Sequence, residues 1–91
     1  MNKQRRSILN QQISELETLK SQLEDIKSKI EDVRDEEDEA YSNLPDSIQE
    51  SERGDIMQEC IDEMEESYSN LDDIISNIDE VIDLLNGVVE K

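Results

Sequence analysis

The chain has 91 residues, 33% apolar, 2% aromatic and 38% charged, and 26 acids against 9 bases leave it at −17 with a pI near 4.1. That length holds one small domain. The charge argues against phosphate or anionic lipid as a direct ligand and favours a basic protein surface. There is no histidine, which excludes Ser/His/Asp and Cys/His catalytic sets and zinc sites of Cys/His type.

The chain opens with MNKQRRSILNQQ, basic through Lys3, Arg5 and Arg6 but with no long apolar run behind it, so it does not read as a signal peptide. No stretch approaches the roughly 18 apolar residues of a membrane span. The single cysteine, Cys60, excludes an internal disulfide. Together these features predict a soluble protein of a reducing cytoplasm.

A first helix is predicted over about 5–43. From Leu9 the apolar residues fall on a seven-residue frame: Leu9, Leu16, Leu23, Ile30, Glu37 and Leu44 in one column, Gln12, Leu19, Ile26, Val33 and Ala40 in the other. These are the a and d columns of a coiled coil, with polar exceptions at Gln12 and Glu37. Lys20, Lys27 and Arg34 line the adjacent e column, which Ile13 and Tyr41 share. Glu37 reads either as an open layer near the turn or as a register-setting acid paired with a base such as Arg34.

Pro45 ends the helix, because it restricts the residue before it and lacks an N–H. A turn is predicted over 44–54. Ser47-Ile48-Gln49-Glu50 has capping-box spacing for a short helix. Gly54 has two readings: it closes that short helix with Asp55 capping the next, or the next helix runs through it at a cost of about 1 kcal/mol.

The second long helix is predicted over about 55–90. Its frame runs Met57, Ile61, Met64, Tyr68, Leu71, Ile75, Ile78, Ile82, Leu85 and Val89, with Cys60, Ile74, Val81 and Val88 as a g ridge. Cys60 reads as a small apolar seam residue. Pairing residues whose numbers add to 101 sets every a of one helix against a d of the other, as antiparallel packing requires. The predicted fold is all-α, an antiparallel two-helix coiled-coil hairpin spanning 1–91 as one domain.

A lone hairpin of this size buries little apolar surface. The surplus apolar residues Ile8, Ile13, Ile74, Val81, Leu84 and Val88 cluster toward the termini. They predict a homodimer interface there, closing a four-helix bundle with the acidic turns free.

The acid is local. Residues 31–66 hold 16 acids and two bases, a net of −14 of the chain's −17. Folded as a hairpin they occupy roughly 25 to 30 Å. That is about 0.5 charge per Å, near the figure of about 0.6 for duplex DNA. The segment is thus expected to attract a basic groove built for nucleic acid. Asp35, Glu36, Asp38, Glu39, Glu59, Asp62, Glu63 and Glu66 are the candidate partner-binding residues. The plainer reading is a solvated face that keeps a small bundle soluble. The same carboxylates bind cations weakly, but they lack the glycine spacing of an EF-hand loop. Nothing predicts a catalytic residue, a cofactor or a specific metal site. Paired acids without a pocket to separate their pKa values are not a general acid/base pair.

Residues 35–55, DEEDEAYSNLPDSIQESERGD, resemble small acidic helical proteins encoded by Firmicutes phages, integrative elements and genomes. The shared features are the acidic run, the aromatic residue, Asn-Leu-Pro, and Ser-Glu-Arg-Gly before a second acidic helix. The likeness covers the middle quarter of the chain, and the flanking helices match only in composition. That family has no settled activity, and no catalytic residues carry over. Its genomic setting implies a host-interaction or anti-defence role, similar in kind to DNA-mimicking phage inhibitors of restriction and CRISPR enzymes.

The expectation is therefore a non-enzymatic acidic interaction module in the host cytoplasm that blocks a nucleic-acid-binding protein by DNA mimicry. The alternative is a structural coiled-coil oligomerisation protein with a solvated acidic face. In neither case does the chain bind nucleic acid or membrane itself.

Overall fold

The computed structural model describes residues 1–91. The protein is all-α, with about nine-tenths of the chain helical and no strand. The elements are α1 (Lys3–Ser42), the single-turn α2 (Asp46–Gln49) and α3 (Glu52–Val89).

Each boundary has a local cause. Asn2 caps α1: its Oδ1 accepts from the Arg5 N–H at 2.9 Å and its carbonyl from the Arg6 N–H at 3.2 Å. This satisfies donors that a helix start leaves without partners. At the other end the Asn43 and Leu44 N–H groups still reach the Glu39 and Tyr41 carbonyls, and Pro45 stops the ladder. The predicted Ser47–Glu50 capping box does not form. Pro45 itself is the N-cap of α2, with φ −58° and ψ 149° and no side-chain cap bond. Its carbonyl accepts from both Ile48 and Gln49, at 2.9 and 3.0 Å.

Gln49 ties the turn to α1. Its Nε2 donates to the Tyr41 carbonyl at 3.0 Å, which also accepts from the Leu44 N–H, and to the Leu44 carbonyl at 3.2 Å. α3 then starts at Glu52, with the Ser51 carbonyl accepting from the Asp55 N–H at 3.0 Å. Of the two readings of Gly54, the continuous helix is correct, and Asp55 lies inside α3 rather than at its cap. The glycine is needed for space, since no glycine here has positive φ. A Cβ at position 54 would stand 2.0 Å from the Gln49 carbonyl oxygen.

The chain divides into two compact units, Met1–Asp25 with Asp72–Lys91 (unit 1) and Ile26–Leu71 (unit 2). In unit 1 the core is Ile13 and Ile82, and Lys20 Nζ reaches Asp79 across the two segments at 2.7 Å. In unit 2 the core is Ile61, 1% exposed, and Arg34 bonds Glu65 through Nε at 2.9 Å and again through Nη2. Both cross-segment pairs join one e column to the other. Their residue numbers add to 99 in each unit, the sum that e–e pairs take in the register whose core pairs add to 101.

One helix packs on its predicted face and the other does not. Every a and d residue of α3 from Met57 to Val89 is buried or half-buried. On α1 the a column is half-buried, but the d column, Gln12, Leu19, Ile26, Val33 and Ala40, is exposed. Its e column takes that place: Ile13 is buried, and Lys20, Lys27, Arg34 and Tyr41 are half-buried. This burial corresponds to α1 turned by about half a residue's angular step toward its e side, where Lys20 and Arg34 lie against Asp79 and Glu65 of α3. The apolar d column is then turned away.

Candidate functional site

The acid sits mainly in unit 2, which holds 16 acids and four bases for a net of −12; unit 1 holds ten acids and five bases for −5. Asp35, Glu36, Asp38 and Glu39 project from the last two turns of α1, and Glu59, Asp62, Glu63 and Glu66 from about the third and fourth turns of α3. The four on α3 follow helical spacing and share one face, the one opposite its a and d residues. Seven of the eight are exposed, and Asp38 is half-buried. Two are already engaged within the chain. Asp35 Oδ1 accepts from Arg34 Nη1 at 3.0 Å, and Asp62 Oδ1 accepts from Gln58 Nε2 at 3.1 Å.

Arg34 is the hub on the inner side of this surface. Its guanidinium donates to Glu65 and Asp35, and those two bonds hold its pKa above that of an ordinary arginine. Sequence reading offered Glu37 as its partner; the bonds go to Glu65 and Asp35 instead. Glu65 lies outside the a and d columns, so the heptad frame gave it no role. The signal lay in the e columns, where Lys20, Lys27 and Arg34 on α1 have Glu65, Asp72 and Asp79 as counterparts in sequence on α3. In unit 1 the hydrogen bond to Asp79 raises the Lys20 pKa above its usual value.

The proposed dimer residues separate into two groups. Ile8, Ile74, Val81 and Leu84 are exposed, Leu84 by 67%, and Val88 is half-buried. Ile13 does not belong with them. It is 6% exposed, because the turn of α1 points its e column into unit 1. Cys60 is exposed rather than packed in a seam, since the same turn opens the g flank beside it. Tyr41 and Tyr68, beside the acidic part, are both half-buried. In unit 2 the displaced d column borders a shallow groove lined by Ile26, Lys29, Ile30, Val33, Met64 and Ser67.

No group of three or more acidic or cysteine side chains is placed to share a metal ion. No helix is long and apolar enough to cross a membrane. No protein-family model, curated protein or solved structure matches the chain.

Proposed function

We propose that this chain is a non-enzymatic interaction module, an antiparallel two-helix coiled coil whose acidic unit 2 occupies the nucleic-acid-binding groove of a host protein. The observation that carries this reading is the placement of charge. Unit 2 has a net charge of −12, and seven of the eight candidate carboxylates on its two helices are open to solvent. Crowding like charges destabilises a fold, so keeping them together has a cost that a basic partner offsets. A groove lined with Lys and Arg would release its counterions to this surface as it does to a phosphate backbone. A defence nuclease of the host cytoplasm is the class of target that the resemblance favours.

The test is capture of partners from a host lysate at low salt, followed by competition. Duplex DNA or RNA should displace the captured protein, and binding should fall steeply as salt rises. The variant Asp35→Asn, Glu36→Gln, Asp38→Asn, Glu39→Gln should lose binding. A partner held equally well by that variant would leave the acidic unit as a solvated surface.

The second reading is a structural oligomerisation module in which hairpins pair into a four-helix bundle. The exposed d column of α1 favours it, because aliphatic side chains at heptad positions stand unburied.

A further inference from the structure

Unit 1 has two unlike flanks. One carries the e columns and is closed by the Lys20–Asp79 ion pair. On the other, heptad geometry places the d and g columns of α1 beside the g and c columns of α3. All five of the exposed aliphatic residues Ile8, Leu19, Ile74, Val81 and Leu84 fall on this second flank. Residues 72–91 contain six acids, but none occupies a g or c position. On the α1 side of this flank Glu15 is the one acid, and Arg5 and Lys91 outweigh it. In a chain of −17, a flank that is aliphatic and close to neutral is the place where like molecules meet without repulsion.

The five aliphatic side chains on this flank are 44% to 67% exposed, so burial is what the flank lacks. We infer that this flank of unit 1 binds the same flank of a second copy of the chain. A twofold contact needs one patch complementary to itself, and a neutral aliphatic surface meets that condition. The interface then includes Leu19, a residue the heptad frame assigns to the intrachain seam, and omits Ile13. The inference rests on the oligomerisation reading and is independent of what the acidic unit binds.

Sedimentation equilibrium of the full chain, with helicity followed by circular dichroism, tests it. The parent should show twice 10.6 kDa, falling to the monomer mass on dilution. The double variant Ile74→Asn, Val81→Asn should be monomeric at concentrations where the parent is dimeric, with its helicity kept, because both side chains are already largely exposed. Ile56→Asn, an equally exposed residue of unit 2, should leave the mass unchanged. A parent that is monomeric at all concentrations overturns both the inference and the oligomerisation reading. A dimeric parent dissociated by Ile56→Asn and not by the double variant overturns the inference alone, and places the contact on unit 2.

Discussion

Gly54 lies against the backbone of Gln49 so closely that a Cβ there would stand 2.0 Å from the Gln49 carbonyl oxygen, 2.6 Å from its carbonyl carbon and 2.8 Å from its Cα. This contact brings the first turn of α3 onto the end of α2. Gln49 in turn holds the end of α1 through its side-chain amide. The obstruction is backbone, so no rotamer change relieves it. Gly54→Ala should destabilise the fold by about 1–3 kcal/mol, even though alanine favours helix by about 1 kcal/mol.

The second glycine gives the opposite result. Gly87 is helical, has no positive φ, and a Cβ there would meet nothing within 4 Å. Gly87→Ala should therefore return the helix propensity, stabilising by about 0.5–1 kcal/mol. For a domain of this size that is a rise in Tm of roughly 2–8 °C. Thermal melts of the two alanine variants side by side check both signs.

These two glycines show what the sequence made legible and what it did not. The helices, the break at Pro45 and the concentration of acid are written in periodicity and composition, which act locally. Whether the chain passes through Gly54 as helix depends on the approach of Gln49, which is a tertiary distance with no local signal. The same holds for α1. Its a and d columns read as a symmetric seam because Leu19, Ile26 and Val33 are apolar. The e column lies inward instead, with Arg34 and Lys20 bonded to Glu65 and Asp79, a pairing visible only when both helices are read together. Of the candidate sites, the exposure of the acidic residues followed from their helical spacing. Ile13 and Cys60 were misplaced by the same rotation.

That rotation predicts unequal costs for residues the heptad frame treats alike. Ile61 is 1% exposed and Val33 52%, yet both occupy core columns. Ile61→Ala should cost about 2–5 kcal/mol. Val33→Ala should change stability by no more than about 0.5 kcal/mol, since it loses little packing and gains helix propensity. Urea titrations of the two variants decide it. Comparable losses would show that the d column of α1 is packed after all.

The ion pairs on the e flank have their own signatures. Arg34 meets Glu65 with two donors of its planar fork while a third reaches Asp35, and a lysine cannot reproduce that arrangement. Arg34→Lys should lower Tm measurably, and by less than Gly54→Ala does. Lys20 has a raised pKa through Asp79, against an ordinary value of 10.5. The Lys20 contribution is therefore fully present below pH 10.5 and is lost as pH rises through the higher folded value. The Tm difference between the parent and Lys20→Gln should be constant from neutral pH to just below 10.5 and shrink only beyond it.

The excess of acid makes the molecule repel itself. Twenty-six acids against nine bases leave most carboxylates facing other carboxylates, and in unit 2 the i,i+4 pairs of like charge on each helix oppose the fold. Salt screens exposed charges at separations beyond about 8–10 Å at physiological strength and nearer ones as it rises, so added sodium chloride should raise Tm. Screening also weakens the ion pairs, Lys20–Asp79, Lys27–Glu31 and Arg34–Glu65 among them, but nine bases stand against 26 acids. The neutralised variant Asp35→Asn, Glu36→Gln, Asp38→Asn, Glu39→Gln takes the net charge from −17 to −13 by removing four acids. It leaves the apolar contacts untouched, and the side-chain amide introduced by Asp35→Asn still offers an oxygen to Arg34. The variant should melt higher than the parent at low salt, with unchanged helicity and a shallower dependence of Tm on salt. A parent whose Tm falls as salt is added would show that the bridging pairs outweigh the repulsion. The acidic unit would then carry no strain for a basic partner to relieve.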